Sequence, residues 1–141
     1  MVNRLTACSL AFALCGCASL RAGPQALAGD WTLAVRDLNQ KEVATLTIRF
    51  TDAKGNSCMS GDWKQIVVKS RKTSDASFFP AADSWTYELD GSELVIGRNG
   101  VCDGYLHLRG TLQDGVVQGS YYAFGLGGGS SLGGFSLRRK R

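Results

Sequence analysis

Ala44-Thr45-Leu46-Thr47-Ile48-Arg49-Phe50 alternates apolar and polar residues without a break. Successive side chains of a strand point to opposite faces, so this stretch predicts a strand with one apolar and one solvated face. The pattern recurs on both sides of it. Trp31, Leu33 and Val35 alternate with Thr32, Ala34 and Arg36; Trp85, Tyr87 and Leu89 with Thr86 and Glu88; Leu106, Leu108 and Leu112 with His107, Arg109 and Thr111. No stretch has a helical period. Lys64 to Ser70 has no clean facing, although Ile66-Val67-Val68 still reads as a buried strand.

Turn chemistry divides these runs into a meander. Asp90-Gly91 and Asp114-Gly115 stand between alternating segments, the strongest short-range hairpin signal. Asn99-Gly100 and Asp103-Gly104 punctuate a connection around Cys102, and Lys54-Gly55-Asn56 turns the chain after Phe50. Strands are predicted near Leu33, Leu46, Val67, Tyr87, Val95, Leu108, Tyr121 and Phe135. Eight antiparallel strands on short turns predict an all-β domain closed as an up-and-down β-barrel. A two-sheet β-sandwich is the alternative.

The longest irregular stretch, Arg71 to Asp83, contains Phe78-Phe79-Pro80. Its aromatics either cap the barrel mouth and contact a partner or pack back as a plug. Tyr121-Tyr122-Ala123-Phe124 places aromatics on both faces of one strand, so one set lines the core and the other forms a surface patch. Phe78, Phe79, Tyr121, Tyr122 and Phe124 are therefore the candidate ligand or partner contacts. Gly125 to Gly134 is no phosphate loop, because no Gly-Lys-Ser/Thr opens a helix there. It reads as a flexible connection between the last two strands.

At the amino terminus Arg4 precedes an apolar run of ten residues, Leu5 to Leu14, and then Cys15-Gly16-Cys17. A charged start, an apolar core and small residues describe a secretory signal. The run is too short for a hydrocarbon core about 30 Å thick. With cysteine after the small residue, Leu14-Cys15-Gly16-Cys17 resembles the lipobox of bacterial lipoproteins. That resemblance implies a signal peptide over residues 1–16, a diacylglycerol on the Cys17 sulfur and an acyl chain such as palmitate on its amino group. Residues 17–28 then form a tether, and Ala18 after the cysteine implies the outer membrane, facing the periplasm. Ordinary secretion, with a cut near Ala18 or Ala22, is the alternative.

On that reading Cys8 and Cys15 leave with the signal and Cys17 takes the lipid. Cys58 and Cys102 remain, and an even pair in an exported domain reads as a disulfide. The chain-entropy argument gives a loop of about 45 residues roughly 4 kcal/mol of stabilisation. No metal or other cofactor is expected, since His107 is the sole histidine. Processing leaves fifteen Lys and Arg against twelve Asp and Glu, a balance of +3, with four of the positives in Arg138-Arg139-Lys140-Arg141. The other basic residues are dispersed, which argues against nucleic acid. The body occupies residues 29–138, a basic tail occupies 139–141, and a monomer is expected.

Gly29-Asp30-Trp31 opens the first strand, and here the chain resembles the calycin group of lipocalins and fatty-acid-binding proteins. In that group Gly-x-Trp begins the first strand and an arginine of the last strand lies across the indole. The resemblance implies barrel closure by Trp31 and Arg138. A similar strand start, with one disulfide and a lipoprotein signal, occurs in small periplasmic β-barrel inhibitors of metalloproteases.

Catalysis has little support. His107 lies on the strand face opposite Leu106 and Leu108, serines lack a nucleophile-elbow context, and the carboxylates show no paired spacing. A non-enzymatic, envelope-anchored binding barrel is expected, taking a small apolar or amphipathic ligand. The alternative is an inhibitor or interaction module acting on an envelope or exogenous enzyme. A filled interior would remove the carrier's site.

Overall fold

The computed structural model describes residues 24–141, so residues 1–23, with Cys17 and the signal segment, lie outside the described residues. A 3-10 turn (Pro24–Leu27) precedes β1 (Asp30–Asp37), β2 (Glu42–Lys54), β3 (Lys64–Thr73), β4 (Thr86–Asp90), β5 (Glu93–Arg98), β6 (Tyr105–Gln113), β7 (Val116–Gly125) and β8 (Gly128–Arg139). Each strand pairs antiparallel with the next and β1 returns to β8, so the sheet closes as an up-and-down barrel rather than splitting into a sandwich.

The alternation read from the sequence decides which side chains enter. Across the β8–β1–β2 seam the rows Leu137–Leu33–Leu46 and Phe135–Val35–Ala44 share the inner face. Tyr87, Leu94, Ile96, Leu108 and Tyr121 meet them from the other wall in one apolar cluster. Burying each large apolar side chain stabilises the fold by about 1.5–3 kcal/mol. Turn chemistry holds as well. Asp114 (φ 51°) and Gly115 (φ 74°) both occupy the left-handed region, as a two-residue type I′ hairpin requires.

The seam closes one residue later than the Gly-x-Trp resemblance implied. Trp31 pairs with Arg139, whose guanidinium carbon stands 5.1 Å from the centroid of the fully buried indole. Arg138 pairs with Thr32, and the two-residue side-chain period turns it outward into solvent. Parity therefore selects Arg139, which belongs to β8 rather than to a tail. The tether is also shorter than expected. Leu27 is buried, and its carbonyl accepts the Trp31 indole N–H at 3.0 Å, so the packed domain includes Leu27.

Two further departures have backbone causes. Thr47 pairs with Ser70 but Ile48 with Val68, so Lys69 is the extra residue of a bulge. Inward parity passes from Ile66 and Val68 to Arg71 and Thr73 across the bulge, which explains the unclear facing of Lys64–Ser70, and Val67, expected in a buried run, is exposed. The glycine run is a strand, not a connection. Only Leu126 and Gly127 turn, and Phe124↔Gly129, Ala123↔Ser130 and Tyr122↔Ser131 pair across β7–β8. Main-chain hydrogen bonds define this strand, and the period of two in side-chain polarity never registers it.

Candidate functional site

The barrel's interior is solid. A void among Leu33, Leu46, Ile66, Phe79 and Trp85 measures about 10 Å³, room for little more than a water. Beyond Ile66 the strand β3 no longer pairs with β4, because the two share only Lys64↔Tyr87 and Gln65↔Thr86. The 74–85 connection fills the opening. Asp75 organises its turn by accepting hydrogen bonds from the Ser77 hydroxyl and the Ser77 and Phe78 amides, contacts that hold its carboxyl below the usual range. Phe79 follows, 0% exposed, stacked on Trp85 at 4.7 Å and edge-on to Tyr121 at 5.5 Å.

Of the two sequence readings of Phe78-Phe79, the plug is the one that forms. Phe78 is half-buried against Tyr121, whose phenol donates a hydrogen bond to the Phe78 carbonyl at 2.7 Å. Burial raises the Tyr121 phenol well above its ordinary pKa. Phe79 and Tyr121 are thus core residues and present no contact surface, because their inward parity or loop position spends them on filling the mouth. Tyr122 and Phe124 do reach the surface.

They do so as part of a ladder on the outer face of β6–β7. Cross-strand pairs Tyr105↔Phe124 and His107↔Tyr122 set the rings side by side. Phe124 lies 5.1 Å from Tyr105, 4.7 Å from His107 and 5.7 Å from Tyr122. Tyr105, Tyr122 and Phe124 are half-buried, and Leu126 at the adjoining β7–β8 turn is 91% exposed. Aromatic pairs, edge-on for His107–Phe124 and closer to stacked for Tyr122–Phe124, add about 0.5–1.5 kcal/mol each beyond burial, so the ladder is stiff.

A second layer supports it from one side. The 55–63 segment, between β2 and β3, folds back over the outer face of β4–β6. The Cys58–Cys102 disulfide ties it to the β5–β6 connection with Cα atoms 5.5 Å apart. The Cys58 amide donates to the Asn99 carbonyl, and Trp63 packs 5.6 Å from His107. Gly55 admits the segment, and Gly97 admits the Asn99 side chain beneath it. A Cβ on Gly55 would meet the Thr86 methyl at 2.5 Å, and one on Gly97 would stand 2.7–2.9 Å from the Asn99 side chain.

Under this cover runs a buried polar chain. The Thr86 hydroxyl donates to the Gly97 carbonyl at 3.1 Å, the Asn99 amide donates to Thr86 Oγ1 at 3.2 Å, and Asn99 Oδ1 faces His107 Nε2 at 2.7 Å. With the Asn99 amide committed to Thr86, its oxygen must accept, which assigns the proton to His107 Nε2. His107 is 3% exposed, and its pKa falls to about 4, first through burial and then through the Arg109 charge. It is a satisfied, neutral ring between aromatics, with no nucleophile as its partner. Among the described residues no three His, Cys, Asp or Glu side chains gather as metal ligands.

Beside the ladder, at the mouth, a recess of about 430 Å³ opens over Arg98, Tyr105, Leu106, Ala123, Phe124 and the Gly127–Ser130 backbone. Arg98 donates to the Gly104 carbonyl at 2.6 Å and pairs with Asp83 at 3.2 Å. Sequence reading missed Tyr105, Trp63 and Asn99. Tyr105 was findable, since it shares the parity of His107 on the strand facing Tyr122 and Phe124. Trp63 was not, because its place depends on a connection that doubles back outside the barrel.

Fold and site together define a disulfide-tied, filled antiparallel barrel with a stiff aromatic outer face. Compared with protein-family models, with curated proteins and with solved structures, the chain matches none.

Proposed function

We propose that this protein is an envelope lipoprotein, anchored through Cys17, whose barrel works as a protein-interaction module on its outer surface. The observation that carries this reading is the contrast between a filled interior and a braced strip of half-exposed Tyr105, Tyr122 and Phe124 beside Leu126. Rigid, partly exposed Tyr and Phe supply contact area at low conformational cost, which is why such residues are enriched at interfaces. A partner with an apolar, shape-complementary surface fits this strip, as an inhibited or scaffolded enzyme of the envelope would.

Site-specific photo-crosslinking in cells tests the proposal. A photoreactive residue at Leu126 should give a discrete adduct with one protein, and the adduct should vanish on Phe124→Ser. The same probe at exposed Val67 should give none. No adduct at Leu126, or the same adducts at both positions, would reject the module.

The mouth recess supports a second reading, binding of a small amphipathic molecule with an anionic head. Its volume of about 430 Å³ suits such a ligand, with apolar Leu106 and Phe124 near the Arg98 cation. Titration with a medium-chain fatty acid should perturb amide resonances of Leu106, Ala123 and Gly129, and Arg98→Met should abolish the effect. Resonances that stay unmoved would eliminate this ligand class.

A further inference from the structure

We propose that the end of the barrel where residues 24–30 enter and the Arg138–Arg141 run emerges is a docking face for an anionic lipid bilayer. The placement follows from up-and-down topology. The start of β1 and the end of β8 lie side by side, with Arg139 paired to Trp31 and the Lys140 amide donating to the Asp30 carbonyl at 2.8 Å. The Arg139 guanidinium also donates to the Ala26 carbonyl. The segment leading in from residue 23 and the basic run are thereby held together at one end.

Chain length then brings that end to the membrane. This step rests on the reading of Cys17 as lipidated. Seven residue steps separate Cys17 from Pro24, and whatever their conformation they span at most about 25 Å. The domain end bearing Arg138–Arg141 is therefore confined near the headgroups, whereas the β7–β8 turn with Leu126 lies at the opposite end.

Charge at this end is divided by strand position. Arg138, Lys140 and Arg141 are exposed and form no ion pair among the described residues. The nearest strand carboxylate, Asp30, is already held by Lys69 at 3.0 Å and Arg49 at 2.7 Å, and these contacts keep its pKa low. Lys54 at the end of β2 adds a further cation. The acids of this end are gathered on its other half: Asp62, Glu88 and Asp90 line one recess with Lys64 and Leu27, Glu93 pairs with Arg109, and Asp52 pairs with Lys64. Asp114 is the remaining acid beside the basic run, sharing an open recess with Arg138–Arg141. The end of β8 thus carries the unpaired cations of this end, and an anionic leaflet is its complement.

Each basic side chain near such a leaflet raises affinity about five-fold. The test uses residues 17–141 carrying Cys17→Ser, so that no acyl chain contributes, sedimented with phosphatidylglycerol–phosphatidylcholine or pure phosphatidylcholine vesicles. Binding to the anionic vesicles alone is expected, lost in salt that shortens the Debye length to about 3 Å. Arg138→Glu, Lys140→Glu and Arg141→Glu together should weaken it by at least about 100-fold without lowering Tm, since all three side chains are exposed. Equal binding to both vesicle types, no binding to either, or an unaffected triple variant overturns the docking face. Anchoring is judged separately, by whether the full chain partitions with cell membranes and its Cys17→Ser variant does not. Failure there removes the tether and leaves the vesicle result to stand or fall alone.

Discussion

The two faces of the β6–β7 hairpin differ in what their aromatics do. Inside, Leu108 and Tyr121 are fully buried and Tyr121 meets Phe79 and Phe78, which descend from another part of the chain. Outside, His107, Tyr122 and Phe124 stack among themselves along two strands, and only Trp63 comes from a distant segment. Inner aromatics hold remote parts of the chain together, whereas outer ones finish a surface. A residue type alone does not separate the two roles. Strand parity does.

The contrast predicts unequal costs of substitution. Phe79→Ala should remove about 4 kcal/mol of stability, measured by denaturant unfolding, because it opens a cavity where no solvent enters. A cost below about 1 kcal/mol would mean that the mouth collapses around the gap and that Phe79 is no plug. Replacing Cys58 and Cys102 together by serine should cost about 4 kcal/mol and raise the exposure of Trp63, read as a red shift of the tryptophan fluorescence. An unshifted spectrum would show that the 55–63 cover holds without its tie.

The outer layer should also respond to acid. His107 titrates near 6.5 when unfolded and about 4 when folded, so the unfolded chain takes its proton first. Stability should fall by about 2 to 3 kcal/mol as pH drops from 6.5 towards 4, and His107→Gln should flatten that slope. Asp30 and Asp75, both lowered from 3.8, lose their contributions only below this window. A slope unchanged by His107→Gln would place the acid sensitivity elsewhere. The smallest effect is expected from Phe124→Ala, about 1 kcal/mol. A loss as large as that of Phe79→Ala would erase the distinction between the faces.

How far these roles could be read in the sequence depends on what carries the information. Alternation and Asp-Gly turns act over a few residues, so the strands, the closed barrel and the division of Tyr121–Phe124 between two faces were legible, though not which set faces outward. The bulge at Lys69 and the glycine strand were not, because each is decided by main-chain pairing with a neighbour. Arg139 was missed by one position, since strand register is set by the whole seam. Trp63 stays invisible because it belongs to a connection that leaves one end of the barrel and travels back along its wall, and Asn99 because its partners Thr86 and His107 stand on two other strands. Long-range contacts of that kind leave no local period.

The β1–β8 seam has a consequence for how the molecule forms. Residues 31–37 find their second neighbour only in residues 133–139, at the far end of the described chain. Every other strand pair joins neighbours in sequence. Seven hairpin contacts can therefore assemble in turn while β1 and β8 remain open edges, each offering unpaired amides to any other strand. Closure requires nearly the whole chain and is the step of greatest contact order. Loss of β8 alone would leave most of the sheet intact and convert a barrel without edges into a sheet prone to self-association.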